Sequence, residues 1–302
     1  MINLTLLGTS CMVPTKERNV SAFYLEYNGE GILIDCGEGT QRQMNIANIN
    51  RNKVRKILIS HWHADHISGI LGLLHTMSNN QDLKSIEIFG PKGSKENFSN
   101  LMKCTSIGKI SELNLKVTEV IPSKLTRFYE NDDYYLEAVA LDHNLPALAY
   151  SFVEKDRRRI AVSKVKKAGL PEGPLIGKLQ QGKNIVFNGK KYDSDDLTYI
   201  VKGKKLSFVL DTSYTKNIID IAKNADLLLC EATYLDKHLE KGEQYKHLTV
   251  KQAAQIAHSS NVLKLVMTHF SQRYKDMTEL EKEAKDIFPE SYIGFDFMKF
   301  KI

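Results

Sequence analysis

The chain has 302 residues, 42% hydrophobic and 26% charged, an ordinary globular composition with enough length for one large domain or two small ones. No stretch approaches the roughly 20 apolar residues that a bilayer span needs, and the N-terminus, Met-Ile-Asn-Leu-Thr-Leu-Leu-Gly, lacks the basic start and long apolar run of a signal peptide, so a cytoplasmic protein without membrane contact is expected. The net charge of +6 is concentrated: residues 151 to 191 hold eleven Lys or Arg against three Asp or Glu, a local +8 that leaves −2 for the rest, which points to a polyanionic partner, nucleic acid first, or else to a solvated basic face.

Apolar runs with alternating or β-branched patterns predict strands at 2–7, 22–27, 31–35, 56–60, 85–89, 115–121, 134–141, 149–153, 206–210, 227–230 and 264–268. Helical spacing predicts helices at 37–48, 67–77, 217–225, 250–259 and 278–287. Thr249 can cap the fourth, and Thr278 with Glu281 makes a capping box for the last. Strands and helices mixed in this order argue an α/β layered fold. Residues 155–196 differ. They hold Gly169, Pro171, Gly173, Pro174, Gly177, Gly182 and Gly189 among many lysines, too much punctuation for a long helix, and read as an insertion projecting from one main domain that spans 1–302. The four cysteines, Cys11, Cys36, Cys104 and Cys230, form no CxxC pair. Neither a zinc knuckle nor a disulfide framework is expected, and three of the four, following apolar stretches, read as reduced core residues.

Coordinating side chains recur just after apolar runs. "ILISHWHADH" supplies His61, His63, Asp65 and His66, "EAVALDH" supplies His143, "LSFVLD" supplies Asp211 and "LVMTH" supplies His269. Loops at the carboxyl ends of strands are where α/β proteins build sites. In an extended segment His61 and His63 project to the same side, while Asp65 and His66 open the following helix. A single zinc takes three or four protein ligands, so seven ligand-type side chains suit two ions, as in two-metal phosphoryl hydrolases. Imidazole with carboxylate suits zinc, with manganese or iron as alternatives.

The HxHxDH motif with the downstream histidine, aspartate and histidine resembles the metallo-β-lactamase superfamily. "NLTLLGTSCMVPTKERN" further resembles the opening of the ribonuclease Z family, the tRNA 3′-processing endonucleases, with its Pro-x-Lys-x-Arg-Asn loop at Pro14, Lys16, Arg18 and Asn19. "LIDCGEGTQRQM", "SHWHADHISGILGLL", "FVLDTSYT", "CEATY", "HLT" and "THFSQRY" fit the same family along nearly the whole chain, whose length is that of the short form. The resemblance implies an αβ/βα sandwich with a projecting basic arm, in which "LPEGPLIGKLQQG", including Gly173 and Pro174, is similar to the glycine-proline part of the family's tRNA-binding arm. It implies two zinc ions, one held by His61, His63 and His143, the other by Asp65, His66 and His269, with Asp211 bridging. It implies Asp65 as general base, His247 with Glu231 as the pair that protonates the leaving oxygen, and a homodimer in which the arm of one subunit helps hold precursor tRNA for the other. Arg273 is a candidate phosphate ligand, since it follows His269 closely. Asp35, Glu38 and Gln41 read as supporting or helix-start residues. Two other readings stay open at this stage: another hydrolase of the superfamily, such as a small-molecule phosphodiesterase, arylsulfatase or thioesterase, and a non-catalytic, metal-stabilised RNA-binding protein.

Overall fold

In the computed structural model, which describes residues 1–80, 85–104 and 113–302, the chain begins with β1 (Ile2–Gly8), β2 (Ala22–Tyr27), β3 (Glu30–Ile34), helix α1 (Thr40–Ile46) and β4 (Val54–Leu58). Short helix α2 (Ala64–Ile67), α3 (Ile70–Met77), β5 (Ser85–Gly90), α4 (Ser94–Lys103) and β6 (Asn114–Glu119) follow. Next come β7 (Thr126–Glu130), β8 (Tyr134–Leu141) and β9 (Ala147–Glu154). The basic segment contributes β10 (Arg157–Ile160), α5 (Val162–Lys167), α6 (Pro174–Gln180), β11 (Ile185–Phe187), β12 (Lys190–Tyr192), α7 (Ser194–Leu197) and β13 (Thr198–Val201). The remainder is β14 (Lys205–Val209), α8 (Lys216–Ala222), β15 (Leu227–Glu231), α9 (Leu239–Tyr245), α10 (Val250–Ser259), β16 (Leu265–Thr268), α11 (Thr278–Lys285), β17 (Ser291–Ile293) and β18 (Lys299–Lys301).

Two seven-stranded sheets dominate, in the orders β18-β1-β2-β3-β4-β5-β6 and β17-β16-β15-β14-β9-β8-β7. The central strands are mostly apolar because both faces of each sheet are covered there, whereas the edge strands β6, β7 and β18 are polar and more exposed. One face of the first sheet presents Leu33, Ile57, Ile86 and Ile88 to α1, α3 and α4. One face of the second presents Val209, Leu228, Cys230, Leu265 and Met267 to α8, α10 and α11. The alternate side chains, such as Phe23, Leu25, Ile32, Phe208 and Val266, are equally buried. The sheets meet through Tyr27 against Phe152 and Phe89 against Phe128. The result is the expected αβ/βα sandwich.

The chain divides into two compact units: Met1–Glu130 with Leu136–Phe152 and Lys205–Ile302, and Asn131–Tyr135 with Val153–Lys204. The second has its own small core of Val165, Leu170, Leu179, Ile185 and Leu197, and two antiparallel ribbons, β10 with β13 and β11 with β12. Its helices are four to seven residues long.

Several elements differ from the sequence expectation for local reasons. The helix expected at 67–77 is two helices, because Gly69 lies against the Gly37 carbonyl, where a Cβ would stand 2.1 Å from the oxygen. Gly69 N–H donates to Cys36 O and Cys36 N–H to His66 O, so this close approach fixes where His66 sits. The expected capping box at Thr278 is absent. The Thr278 N–H and hydroxyl both donate to Asp276 Oδ1, and the helix is preceded by Met277 with no side-chain cap. Thr249, by contrast, forms a full box with Gln252. Of the cysteines, all free, Cys36 and Cys230 are buried, Cys11 is half-buried and Cys104 is exposed. Among the described residues no helix is long and apolar enough to cross a membrane.

Candidate active site

Strands β3 and β4 run parallel, as do β14, β15 and β16, so within each sheet their carboxyl ends share one edge. Asp35 follows β3, His61, His63, Asp65 and His66 follow β4, Asp211 follows β14, Glu231 ends β15 and His269 follows β16. The two edges are joined at this point by Leu148 N–H donating to Ser60 O and the Tyr150 hydroxyl donating to Ile59 O.

Four of the five imidazoles, those of His61, His66, His143 and His269, are aimed by a partner at Nδ1. Asp35, itself left-handed at φ 54°, accepts from Ser60 N–H at 2.7 Å and from His66 Nδ1–H at 2.6 Å. The Ser60 hydroxyl donates to Asp35 and accepts from His61 Nδ1–H at 3.0 Å. His143 Nδ1–H donates to Lys246 O at 3.1 Å. His269 Nδ1–H donates to the Thr233 hydroxyl at 3.1 Å, and that hydroxyl donates to Glu231 Oε2 at 2.7 Å. These partners fix the tautomers and turn the Nε2 atoms of His61, His66, His143 and His269 inward, while His63 faces the cluster with Nδ1. Asp35, read from sequence as a supporting residue, is the orienting partner of His66. Ser60, Thr233 and the Lys246 carbonyl were not foreseen. A hydroxyl or carbonyl at a strand end carries no sequence mark that separates it from ordinary backbone support.

The inward atoms form two groups. His61 Nε2 and His143 Nε2 lie 2.9 Å and 3.2 Å from His63 Nδ1, close to the roughly 3.3 Å edge of a tetrahedron with metal–nitrogen bonds near 2.0–2.1 Å. His66 Nε2 and His269 Nε2 lie 3.4 Å and 3.5 Å from Asp65 Oδ2. Asp211 stands between. Its Oδ2 is 3.6 Å from His61 Nε2 and 4.0 Å from His143 Nε2, and its Oδ1 is 3.4 Å from His66 Nε2 and 3.2 Å from His269 Nε2.

These residues fit metal ions. Three buried atoms pointing at one spot, His66 Nε2, Asp211 Oδ1 and His269 Nε2, have no hydrogen-bond partner, a costly arrangement unless something else satisfies them. Burial holds His61, His63 and His143 below the usual histidine range, in the neutral form that ligates metals. His66 and His269 go the other way. Burial pulls them down, but Asp211 foremost, with Asp35 for His66 and Asp65 for His269, raises both well above the usual range. Asp65 and Asp211, despite burial, are held well below the usual carboxylate range by these histidines. The field favours positive charge at the centre of the cluster, which is what a divalent cation supplies.

The cluster floors a cleft of about 750 Å³ whose walls include Cys11, Met12, Tyr245, His247 and Arg273. His247 is nearly buried. Its Nδ1–H donates to Glu231 Oε1 at 3.2 Å, and the same oxygen accepts from Thr212 N–H at 2.7 Å. Burial lowers and Glu231 raises the His247 pKa, with a net rise, so the imidazolium is stabilised beside the cleft. Arg273 is exposed, with its guanidinium 5.3 Å from the centre of the Tyr234 ring.

The Pro14–Asn19 segment divides between surface and body. Pro14 and Lys16 are exposed. Arg18 turns inward. Its Nη1 donates to Thr9 Oγ1 and Gly294 O, both at 2.7 Å, and its guanidinium lies between the Phe270 and Phe295 rings. Asn19 donates from Nδ2 to Glu38 O and from its backbone N–H to Asp296 Oδ2. Asp296, missed in the sequence, also accepts from Thr9 Oγ1 and Gln43 Nε2 and so buckles this loop to the first sheet. Gly173 and Pro174 are exposed in the second unit, where Pro174 opens α6.

Two facing sheets flanked by helices, with a His/Asp cluster at the strand ends, define the class: a metallo-β-lactamase-type fold. The family model described as "Anti-Pycsar protein Apyc1" matches residues 2–163, the stretch that carries six of the seven strands of the first sheet and five of the seven ligand candidates. Curated relatives extend the likeness over the rest. The chain is 37% identical to ribonuclease Z of Protochlamydia amoebophila over 99% of this chain and 96% of that protein, and 39% identical to ribonuclease Z of Clostridium tetani over 99% and 97%. The crystal structure of human tRNase Z, short form (ELAC1), superposes with a TM-score of 0.72 at 26% identity, covering 99% of each chain. The chain belongs to the ribonuclease Z family.

Proposed function

We propose that this protein is a metal-dependent endoribonuclease that removes the 3′ trailer from precursor tRNA and leaves a 3′-hydroxyl on the tRNA. The observation that carries the reading is the pairing of the inward-facing His/Asp cluster with the Glu231–His247 pair on one wall of the same cleft. Two zinc ions would be held by His61, His63 and His143 and by Asp65, His66 and His269, with one Asp211 oxygen toward each group. Bound there, they supply Lewis-acid stabilisation of the phosphoryl charge and activate water at neutral pH.

The protein's own groups divide the proton traffic. Water oxygen bonds to phosphorus as the P–O3′ bond breaks. Asp65, held ionised, orients that water and accepts its proton. His247, held protonated by Glu231, donates a proton to the departing O3′. Arg273 at the rim binds phosphate, and the second unit's lysines hold the tRNA body. A homodimer acting in the cytoplasm completes this reading, and the mass of the purified protein in solution tests its subunit count. The decisive experiment is incubation of purified protein with a precursor tRNA, with both new ends mapped. A 3′-hydroxyl on the tRNA and a 5′-phosphate on the trailer are expected. Hydrolysis of small phosphodiesters with no cleavage of the precursor would instead favour a small-molecule hydrolase.

Two expectations follow here. His247→Ala should slow cleavage by roughly 10² to 10⁴ with metal content unchanged by elemental analysis. Because His247, Asp211 and His269 also form a group compact enough to hold an ion, loss of metal in this variant would move His247 into the ligand set. In the Pro14–Asn19 loop, Lys16→Ala should keep the melting temperature and alter discrimination between 3′ ends with and without CCA. Arg18→Ala should lower the melting temperature by on the order of 5 °C, because Thr9 and Gly294 lose a half-buried donor. Unchanged discrimination in Lys16→Ala would reduce the loop to a structural turn.

A further inference from the structure

One side chain at the mouth of the cleft is set there at the expense of its own backbone. Met12 is left-handed at φ 60°, a conformation that glycine adopts freely and that strains a residue with a branched or bulky side chain. Most other non-glycine residues with positive φ have a visible reason. Asn28, Asn48, Asn188, Asn224 and Asn261 are of the type that tolerates it. Asp35 and His269 belong to the cluster, Phe297 packs into the core of the first sheet and Lys246 pairs with Asp142. Met12 is apolar and 75% exposed, so it contributes little to packing. Its backbone N–H donates to Asp65 Oδ2 at 2.8 Å, which anchors it to the proposed general base.

Tyr245 is the counterpart. It is 50% exposed, ends α9 and precedes Lys246, whose carbonyl aims His143, and His247. Met12 is thus tied to the Asp65 side of the cluster and Tyr245 to the His143 and His247 side, and both line the cleft. We propose that Met12 and Tyr245 form a two-sided apolar clamp for the nucleobase of a nucleotide flanking the scissile phosphate. Every base has two π-faces. An aromatic ring takes one and a flexible, polarisable thioether takes the other without reading base identity. Such a clamp suits a substrate set whose base at the cut varies, and it fixes the rotation of the sugar-phosphate that must align P–O3′ with the incoming water. The proposal rests on the endoribonuclease reading above.

The test is a cycle between side chain and base, with one precursor tRNA made intact or with an abasic ribonucleotide on either side of the cut. For the wild-type protein, removal of the base at one of the two positions should lower kcat/KM about tenfold or more. Tyr245→Ala and Met12→Gly should each slow the intact substrate by a comparable factor, and in both the abasic penalty should shrink to within about twofold. Tyr245→Phe should keep the wild-type pattern. Met12→Gly retains the N–H that Asp65 accepts and relieves the backbone, so its melting temperature should hold or rise while its rate falls. No abasic penalty in the wild type, or an undiminished penalty in the variants, overturns the clamp. Failure of the wild type to cut the intact precursor overturns the endoribonuclease reading instead.

Discussion

Asp65→Ala is expected to lower precursor tRNA cleavage by roughly 10³-fold or more, since it combines loss of an acid–base group with damage to the metal site, while most of the tRNA affinity survives. Asp65 Oδ2 is shared among His66 Nε2, His269 Nε2 and Met12 N–H. Its removal therefore deletes the anchor of the Met12 loop together with the proposed ligand and the proposed proton acceptor for water. Asp65→Asn separates these parts. The amide oxygen can still accept from Met12, so the lip stays in place, but it cannot take a proton. It should be nearly as slow as the alanine variant. Binding measured by filter retention or fluorescence should change little in either, because RNA affinity is spread over basic side chains distant in sequence from this residue. Cleavage near the normal rate in Asp65→Asn, with its metal retained, would remove Asp65 from the role of base and leave it a ligand.

What the sequence made legible was the material placed by strands. An apolar run followed by a histidine or aspartate marks a side chain at a sheet edge, and parallel strands bring such edges together, so His61, His63, His66, His143, Asp211 and His269 could be gathered without coordinates. The contacts that aim them were less visible. Met12 meets Asp65 across 53 positions and Thr9 meets Asp296 across 287, through loops whose course no local pattern encodes. Short polar strands were missed for a related reason: β18 is Lys-Phe-Lys and β7 is Thr-Arg-Phe-Tyr-Glu, edge positions whose pairing, not composition, makes them strands. Arg18 shows the limit of charge as a guide. Its sign suggests RNA, but its guanidinium is spent between two phenyl rings and a backbone carbonyl.

Excision of the basic unit is expected to separate chemistry from tRNA affinity. The register of its base makes a clean cut possible. Arg157 pairs with Val201, Glu154 N–H donates to Lys204 O, and Asp156 accepts from Gly203 N–H and Lys202 Nζ. Residues 157–201 can thus be replaced by Asn-Gly, the preferred two-residue hairpin turn, with the Asp156 contacts left to close the ribbon. The excised piece holds ten Lys or Arg against four Asp or Glu, and none of the seven ligand candidates. It also takes its own apolar cluster with it. The shortened protein should fold, retain its metal and hydrolyse bis(p-nitrophenyl) phosphate at close to the full-length rate. Its affinity for precursor tRNA should drop by at least about 10²-fold at moderate salt, because each phosphate contact contributes through counterion release, and the plot of log K against log salt should lose a slope of roughly 0.7–0.9 per contact removed. Lys164, Lys166 and Lys167, exposed on α5 around the inward Val165, are the first side chains to restore singly if the slope is to be apportioned. Full tRNA affinity with an unchanged salt slope would overturn the role of this unit as an RNA-holding arm. Loss of the small-diester activity and of metal together would show instead that residues 157–201 support the sandwich itself, and the independence of their small core would then be only apparent.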